Sequence, residues 1–171
     1  MKKQILMSVC CVALLGGCGF TPMYGTAFQE SETALDVSEH LAQVDIGNIP
    51  DREGQFLRNA LIDRFYRDGR PVNARYSLSV AKINERISDL DITKTSDTTR
   101  SQLLLKTSMA LTDTQTGKVV LQRKLNATSS FNELSSEFAT RISERNTREN
   151  ALNELAQQIE LQIGLYLQRN Q

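Results

Sequence analysis

The chain has 171 residues, with 20 basic and 20 acidic side chains and one histidine. That is enough for one ordinary domain with its own core, and the charge balance gives no basic excess to suggest a nucleic-acid partner. A single histidine, His40, leaves little room for a histidine metal cluster or a Ser-His-Asp triad; it reads as a solvated strand-edge residue.

The N-terminus is the most informative stretch. Lys2 and Lys3 precede an apolar run from Ile5 to Leu15. This run is far shorter than the roughly 20 apolar residues that span a bilayer, so it reads as a signal peptide. Leu15-Gly16-Gly17-Cys18 has small residues before a cysteine, the pattern of lipoprotein processing. We therefore expect a signal peptide over residues 1–17, cleavage before Cys18, and lipid attachment to the Cys18 sulfur. Cys10 and Cys11 leave with the signal, so no intramolecular disulfide is available and the domain must stand on its core. Each buried CH₂ of an acyl chain contributes about 0.8 kcal/mol, so the several chains of a bacterial lipoprotein make attachment effectively permanent. Gly19 stands after the cysteine where an aspartate would favour inner-membrane retention, which points to the periplasmic leaflet of the outer membrane.

Residues 18–39 read as a lipidated N-terminus and a polar, acidic tether, and 40–171 as a single domain. Val44 and Ile46 alternate within a first strand that Pro50 stops. Asp51 is a plausible N-cap for a helix whose Leu57, Leu61 and Phe65 share one face, with Gly69 and Pro71 beyond its end. Tyr76, Leu78 and Val80 alternate in a second strand; Leu103, Leu105, Met109 and Leu111 in a third; Val119, Leu121, Leu125 and Ala127 in a fourth. The polar stretch from Ser88 to Ser101 either extends these strands or forms a mobile loop. Asp113 to Gly117 reads as the hairpin loop between the last two strands. A long helix over about 135–169 carries Phe138, Ile142, Leu152, Ala156, Ile159, Ile163 and Tyr166 on one stripe. It would reach roughly 50 Å, so a break or overhang near Asn146 is expected.

The order β-α-β-β-β-α predicts an α+β fold, a four-stranded mixed sheet with both helices on one face and strands one and two parallel. The opposite face would be open and polar. A five-residue hairpin loop would place Lys106 opposite Lys124 there, a cationic pair suited to an anionic ligand; the bland reading is that both lysines splay into water or that the register moves by two.

Cys18-Gly19-Phe20-Thr21-Pro22-Met23-Tyr24-Gly25 is similar to the start of the LptE lipopolysaccharide-assembly lipoproteins in their alphaproteobacterial form. Asp51-Arg52-Glu53-Gly54-Gln55-Phe56-Leu57-Arg58-Asn59 resembles that family's first-helix block. Tyr76-Ser77-Leu78, Thr98-Thr99-Arg100, and Phe131-Asn132 followed by Ser136-Glu137-Phe138-Ala139 resemble its second-strand, third-strand and last-helix entries. Met23 stands where Leu is usual and Phe131 where Tyr is common. The resemblance implies a non-enzymatic outer-membrane lipoprotein without a cofactor. Such a protein plugs the β-barrel LptD, helps it assemble, and takes part in placing lipopolysaccharide in the outer leaflet. Arg100, Lys106, Lys118 and Lys124 are the candidate contacts for lipid A phosphates. Another outer-membrane lipoprotein scaffold, such as a barrel-assembly accessory or an auxiliary subunit of a lipid-transport ABC system, remains open. An envelope hydrolase is disfavoured, because no Asp/Glu pair sits in a recognisable site.

Overall fold

The computed structural model describes residues 40–67, 69–90, 100–134 and 136–170. The signal peptide, Cys18 and the tether lie outside the described residues. Within them the order is β1 (Val44–Ile46), α1 (Asp51–Phe65), β2 (Tyr76–Val80), β3 (Asn84–Asp89), β4 (Arg100–Asp113), β5 (Val119–Asn132) and α2 (Glu137–Arg169).

The α+β class, the mixed sheet and the parallel β1–β2 pair are as expected, but the sheet has five strands. β5 runs along the whole of one edge of β4, from Arg100↔Asn132 to Thr112↔Val119. β2 and β3 share the other edge, β2 opposite Met109–Asp113 and β3 opposite Ser101–Lys106. The five strands thus occupy four columns, and the strand missing from the sequence reading is the continuation of β2 beyond an interruption at 81–83.

Parity builds the core. Leu103, Leu105, Met109 and Leu111 of β4 are all at most 1% exposed. They share the helix side with Tyr76, Leu78 and Val80 of β2 and with Leu121, Leu125, Ala127 and Phe131 of β5. From α1 come Leu57, Leu61 and Phe65, and from α2 Leu152, Leu155, Ala156, Ile159 and Ile163. Tyr76 meets Tyr166 of α2 edge-on, with centroids 6.3 Å apart.

One alternative is settled and three local expectations change. α2 is one continuous helix, capped by Ser136, whose hydroxyl accepts from the Ala139 amide, so near Asn146 there is an overhang and not a break. Its buried residues begin at Thr147, while Phe138 and Ile142 are 75% and 42% exposed, so the first three turns overhang the core. Pro50, not Asp51, is the N-cap of α1, and no side chain caps that end. Phe131-Asn132 ends β5 and does not open the helix. His40 is half-buried in a helical turn before β1, where a solvated strand edge was expected.

The three-residue β1 is an edge strand, and its outer backbone groups are covered by α1 and the residue after it. The Tyr66 hydroxyl donates to the Val44 carbonyl (2.9 Å) and accepts from the Ile46 amide (3.0 Å). Arg58 donates to the carbonyls of Gly47 (3.1 Å) and Ile46 (3.3 Å). These side chains do for β1 what another strand would. Burial raises the Tyr66 phenol above its ordinary value of 10.0, although the Ile46 amide opposes the shift. A raised phenol contributes stability that is complete below pH 10 and lost as pH climbs through the folded-state value. Tyr66→Phe should therefore cost about 1–2 kcal/mol of stability at pH 7 for the stranded Ile46 and Val44 groups, read as a lower urea midpoint. It should also flatten the decline in stability above pH 10, and an unchanged midpoint would show that water replaces the hydroxyl without cost.

A cationic depression on the open sheet face

No helix covers the face opposite the core. Along β2 to β5 it presents Ser77 and Ser79; Asn84, Arg86 and Ser88; Arg100, Gln102, Leu104, Lys106, Ser108, Ala110 and Thr112; and Gln122, Lys124, Asn126, Thr128 and Ser130. These positions contain four cations and no carboxylate. The acids of β3 point the other way, where Glu85 takes a bidentate bond from Arg148 of α2 (2.7 Å to each oxygen) and Asp89 lies 3.2 Å from the buried Ser101 hydroxyl. Alternation thus places the carboxylates of β3 and β4 on the helix side and leaves cations, amides and hydroxyls facing out along β2 to β5, while the one outward strand acid, Asp45 of β1, lies beside Ser77.

The hairpin register differs from the expectation by two. Lys106 faces Asn126 and Lys124 faces Ser108. Two features cause this. The loop is one residue longer, because Thr112 pairs with Val119, and Val120 then forms a bulge before Leu111 meets Leu121. The Asp113 carboxylate fixes the loop by accepting from the amides of Gln115 (2.9 Å) and Thr116 (2.8 Å). The Thr116 amide is the main reason that carboxyl is held below its usual range. Gly117 supplies the left-handed residue (φ 67°) that turns the chain into β5.

The two lysines are not directly opposed, yet they remain neighbours. Diagonal positions across a strand pair lie about 7–8 Å apart, and both line one shallow depression of about 400 Å³. Lys82, Asn84, Ser108 and Asn126 complete its rim. Arg100 and Lys118 do not join it. Arg100 begins β4 and Lys118 ends the hairpin loop, each six residues from the lysine on its own strand, or roughly 20 Å along an extended chain.

Lys82 was not anticipated. It lies in the interruption between β2 and β3, where Ala81, Lys82 and Ile83 pass Thr107 and Ser108. The Ala81 amide donates to the Ser108 carbonyl (2.9 Å) and the Thr107 hydroxyl to the Ala81 carbonyl (2.8 Å), which pins this bulge. The lysine's ammonium sits 2.9 Å from Asp51 at the start of α1. That carboxylate raises the Lys82 ammonium above its ordinary value.

A second cleft, of about 430 Å³, separates the N-terminal half of α1 from the middle of α2 and includes Arg52, Glu53, Arg145, Arg148 and Glu149. Two of its arginines are already neutralised: Arg145 pairs with Glu149 (3.0 Å), and Arg148 with Glu85 and Glu144 (2.7 and 2.6 Å). Among the described residues, no group of three or more His, Cys, Asp or Glu side chains is placed to hold a metal ion. None of the described helices is long and apolar enough to cross a membrane.

Two amphipathic helices on one face of a mixed sheet, with the other face left polar, define a small α+β class found in several solved lipoproteins. A protein from Caulobacter crescentus CB15, solved as a candidate lipoprotein, is 21% identical, with a TM-score of 0.64 over 80% of this chain and 98% of that one. A minor lipoprotein from Acinetobacter baumannii is 23% identical, with a TM-score of 0.58 over 71% of this chain and 90% of that one. The rare lipoprotein B from Shewanella oneidensis is 14% identical, with a TM-score of 0.55 over 74% and 95%. At these identities the likeness concerns the fold. A search of curated proteins finds no match in sequence. The family is given by the sequence model: residues 41–163 match LptE, lipopolysaccharide-assembly, and the chain belongs to that family. It is a family of non-enzymatic lipopolysaccharide-assembly lipoproteins of the cell envelope.

Proposed function

We propose that this protein, anchored through Cys18 to the periplasmic leaflet of the outer membrane, plugs an LptD-like β-barrel and helps it assemble. In this reading it also takes part in delivering lipopolysaccharide to the outer leaflet. Family membership supports the process. The observation that supports the role is the open sheet face: hydroxyl- and amide-rich, and cationic without strand carboxylates along β2 to β5. A plug must present a polar surface to a polar lumen, and such a surface needs no catalytic group. Lys106 and Lys124 form the phosphate-facing pair within it, and Arg100 and Lys118 are separate outlying contacts. Depletion of the protein is expected to lower the amount of correctly assembled barrel and to admit large hydrophobic antibiotics, and tagged protein should co-purify with a large barrel. Normal barrel levels and an intact permeability barrier after depletion would overturn this role.

A further inference from the structure

Lys82 belongs to two places at once. Its side chain lines the depression with Lys106 and Lys124, and its ammonium is paired with Asp51, 2.9 Å away at the first residue of α1. Neither partner is sequestered, since the two side chains are 66% and 50% exposed. The bulge at 81–83 puts the lysine there, and Thr107 holds the bulge. Asp51 itself has a left-handed backbone (φ 65°), unusual for a residue with a side chain. No carboxylate opposes Lys106 and Lys124 on the sheet face itself, and Asp51 is the only acid ion-paired to the Lys82 side of the depression among the described residues.

Resting on the reading of this face given above, we propose that Lys82 is a shared cation and Asp51 its latch. A phosphate-bearing anion seated between Lys106 and Lys124 draws the Lys82 ammonium off Asp51 and gains a third cation. Asp51, left without its counter-charge, then responds at the start of α1. By linkage the two events are reciprocal: loss of the Asp51 charge frees Lys82 and tightens anion binding, and anion binding weakens the pair. The latch thereby connects the open sheet face to the end of the helix that clamps β1 through Arg58 and borders the cleft at Arg52 and Glu53.

The test uses the whole soluble domain at low salt with two probes, inorganic pyrophosphate and purified lipopolysaccharide. Asp51→Asn removes the competing charge but keeps a side chain that accepts a left-handed backbone. An exposed ion pair of this kind predicts binding roughly two- to fivefold tighter in Asp51→Asn. The gain should vanish when Lys82→Ala is added, so that the double variant binds like Lys82→Ala alone. In nuclear magnetic resonance titrations, the amides of Arg52 and Glu53 should shift as wild-type protein fills, and should stay still in Lys82→Ala. Wild-type affinity in Asp51→Asn, or a gain that survives Lys82→Ala, would overturn the latch. Failure of the underlying site looks different: Lys106→Ala with Lys124→Ala would leave binding unchanged. A latch response to lipopolysaccharide, with or without pyrophosphate, makes the occupant a lipid headgroup. A response to pyrophosphate alone makes it a free phosphate.

Discussion

Leu105→Ala is expected to cost about 2–5 kcal/mol, the range for truncating a buried leucine that leaves a cavity behind. Leu105 is 0% exposed, inside the 14-residue β4, between columns closed by β3 on one edge and β5 on the other. Its opposite number on β5 is Ala127, 1% exposed and too small to fill the gap. α2 lies above and is held by Arg148 to Glu85, the residue opposite Leu105 on β3. Little in this neighbourhood can collapse inward, so the upper half of the range applies. The adjacent Leu104 provides the contrast. It alternates to the open face and is only half-buried, so Leu104→Ala should cost well under half as much. Urea unfolding of both variants checks the pair. Equal losses would mean that the second face is also covered in solution, and a loss at Leu104 alone would invert the faces of the sheet.

The same alternation explains what could be read from the sequence and what could not. Strands β2, β4 and β5 carry apolar residues at alternate positions, interrupted at Thr107 of β4 and at Arg123 and Ser129 of β5, and a period of two survives both such interruptions and any error in where a strand begins. Both helices were legible for a similar reason, through Leu57-Leu61-Phe65 and Leu152-Ala156-Ile159-Ile163. β3 was not. Asn84-Glu85-Arg86-Ile87-Ser88-Asp89 is exposed throughout, so neither face writes a pattern, and its pairing comes from the uncovered half of β4. The strength of β4 held the missing signal: a 14-residue strand cannot be satisfied on one edge by the five residues of β2. With β3 unseen, the bulge and Lys82 were unseen too. The Lys106–Lys124 register failed for a different reason. Hydrophobic pattern fixes only whether paired numbers sum to an even total, and a shift of two preserves that parity. A longer loop and the Val120 bulge chose between the allowed registers, and the loop is held by amide hydrogen bonds to the Asp113 carboxylate that no periodicity reports. On α2, the stripe through Phe138 and Ile142 is real, but these side chains stay exposed, and periodicity carries no information about how far along a helix its apolar face finds a partner.

Gly54→Ala is expected to destabilise the domain although it replaces a glycine at the end of the first turn of α1 with the best helix former. The helix preference alone would stabilise by about 1 kcal/mol. Space decides otherwise. A Cβ at this position would stand 2.8 Å from both the carbonyl oxygen and the Cγ2 of Ile49, and 2.9 Å from the Ile49 carbonyl carbon. Two of those atoms are backbone and cannot rotate away. Ile49 is itself 1% exposed and is followed by Pro50, whose ring fixes its own φ. To make room, α1 would have to lift from the chain that enters it. That motion would pull Arg58 and Tyr66 from the edge of β1 and strain the already left-handed Asp51. Overpacking against flexible side chains costs about 1–3 kcal/mol, and a backbone clash belongs at or above the upper end, so the net loss should be about 2 kcal/mol or more. Gln55→Ala, one residue on and exposed, reports helix preference without the contact and should be near neutral. Thermal unfolding of the two variants separates the effects: a Gly54→Ala protein as stable as wild type would mean that α1 does not approach Ile49 this closely in solution.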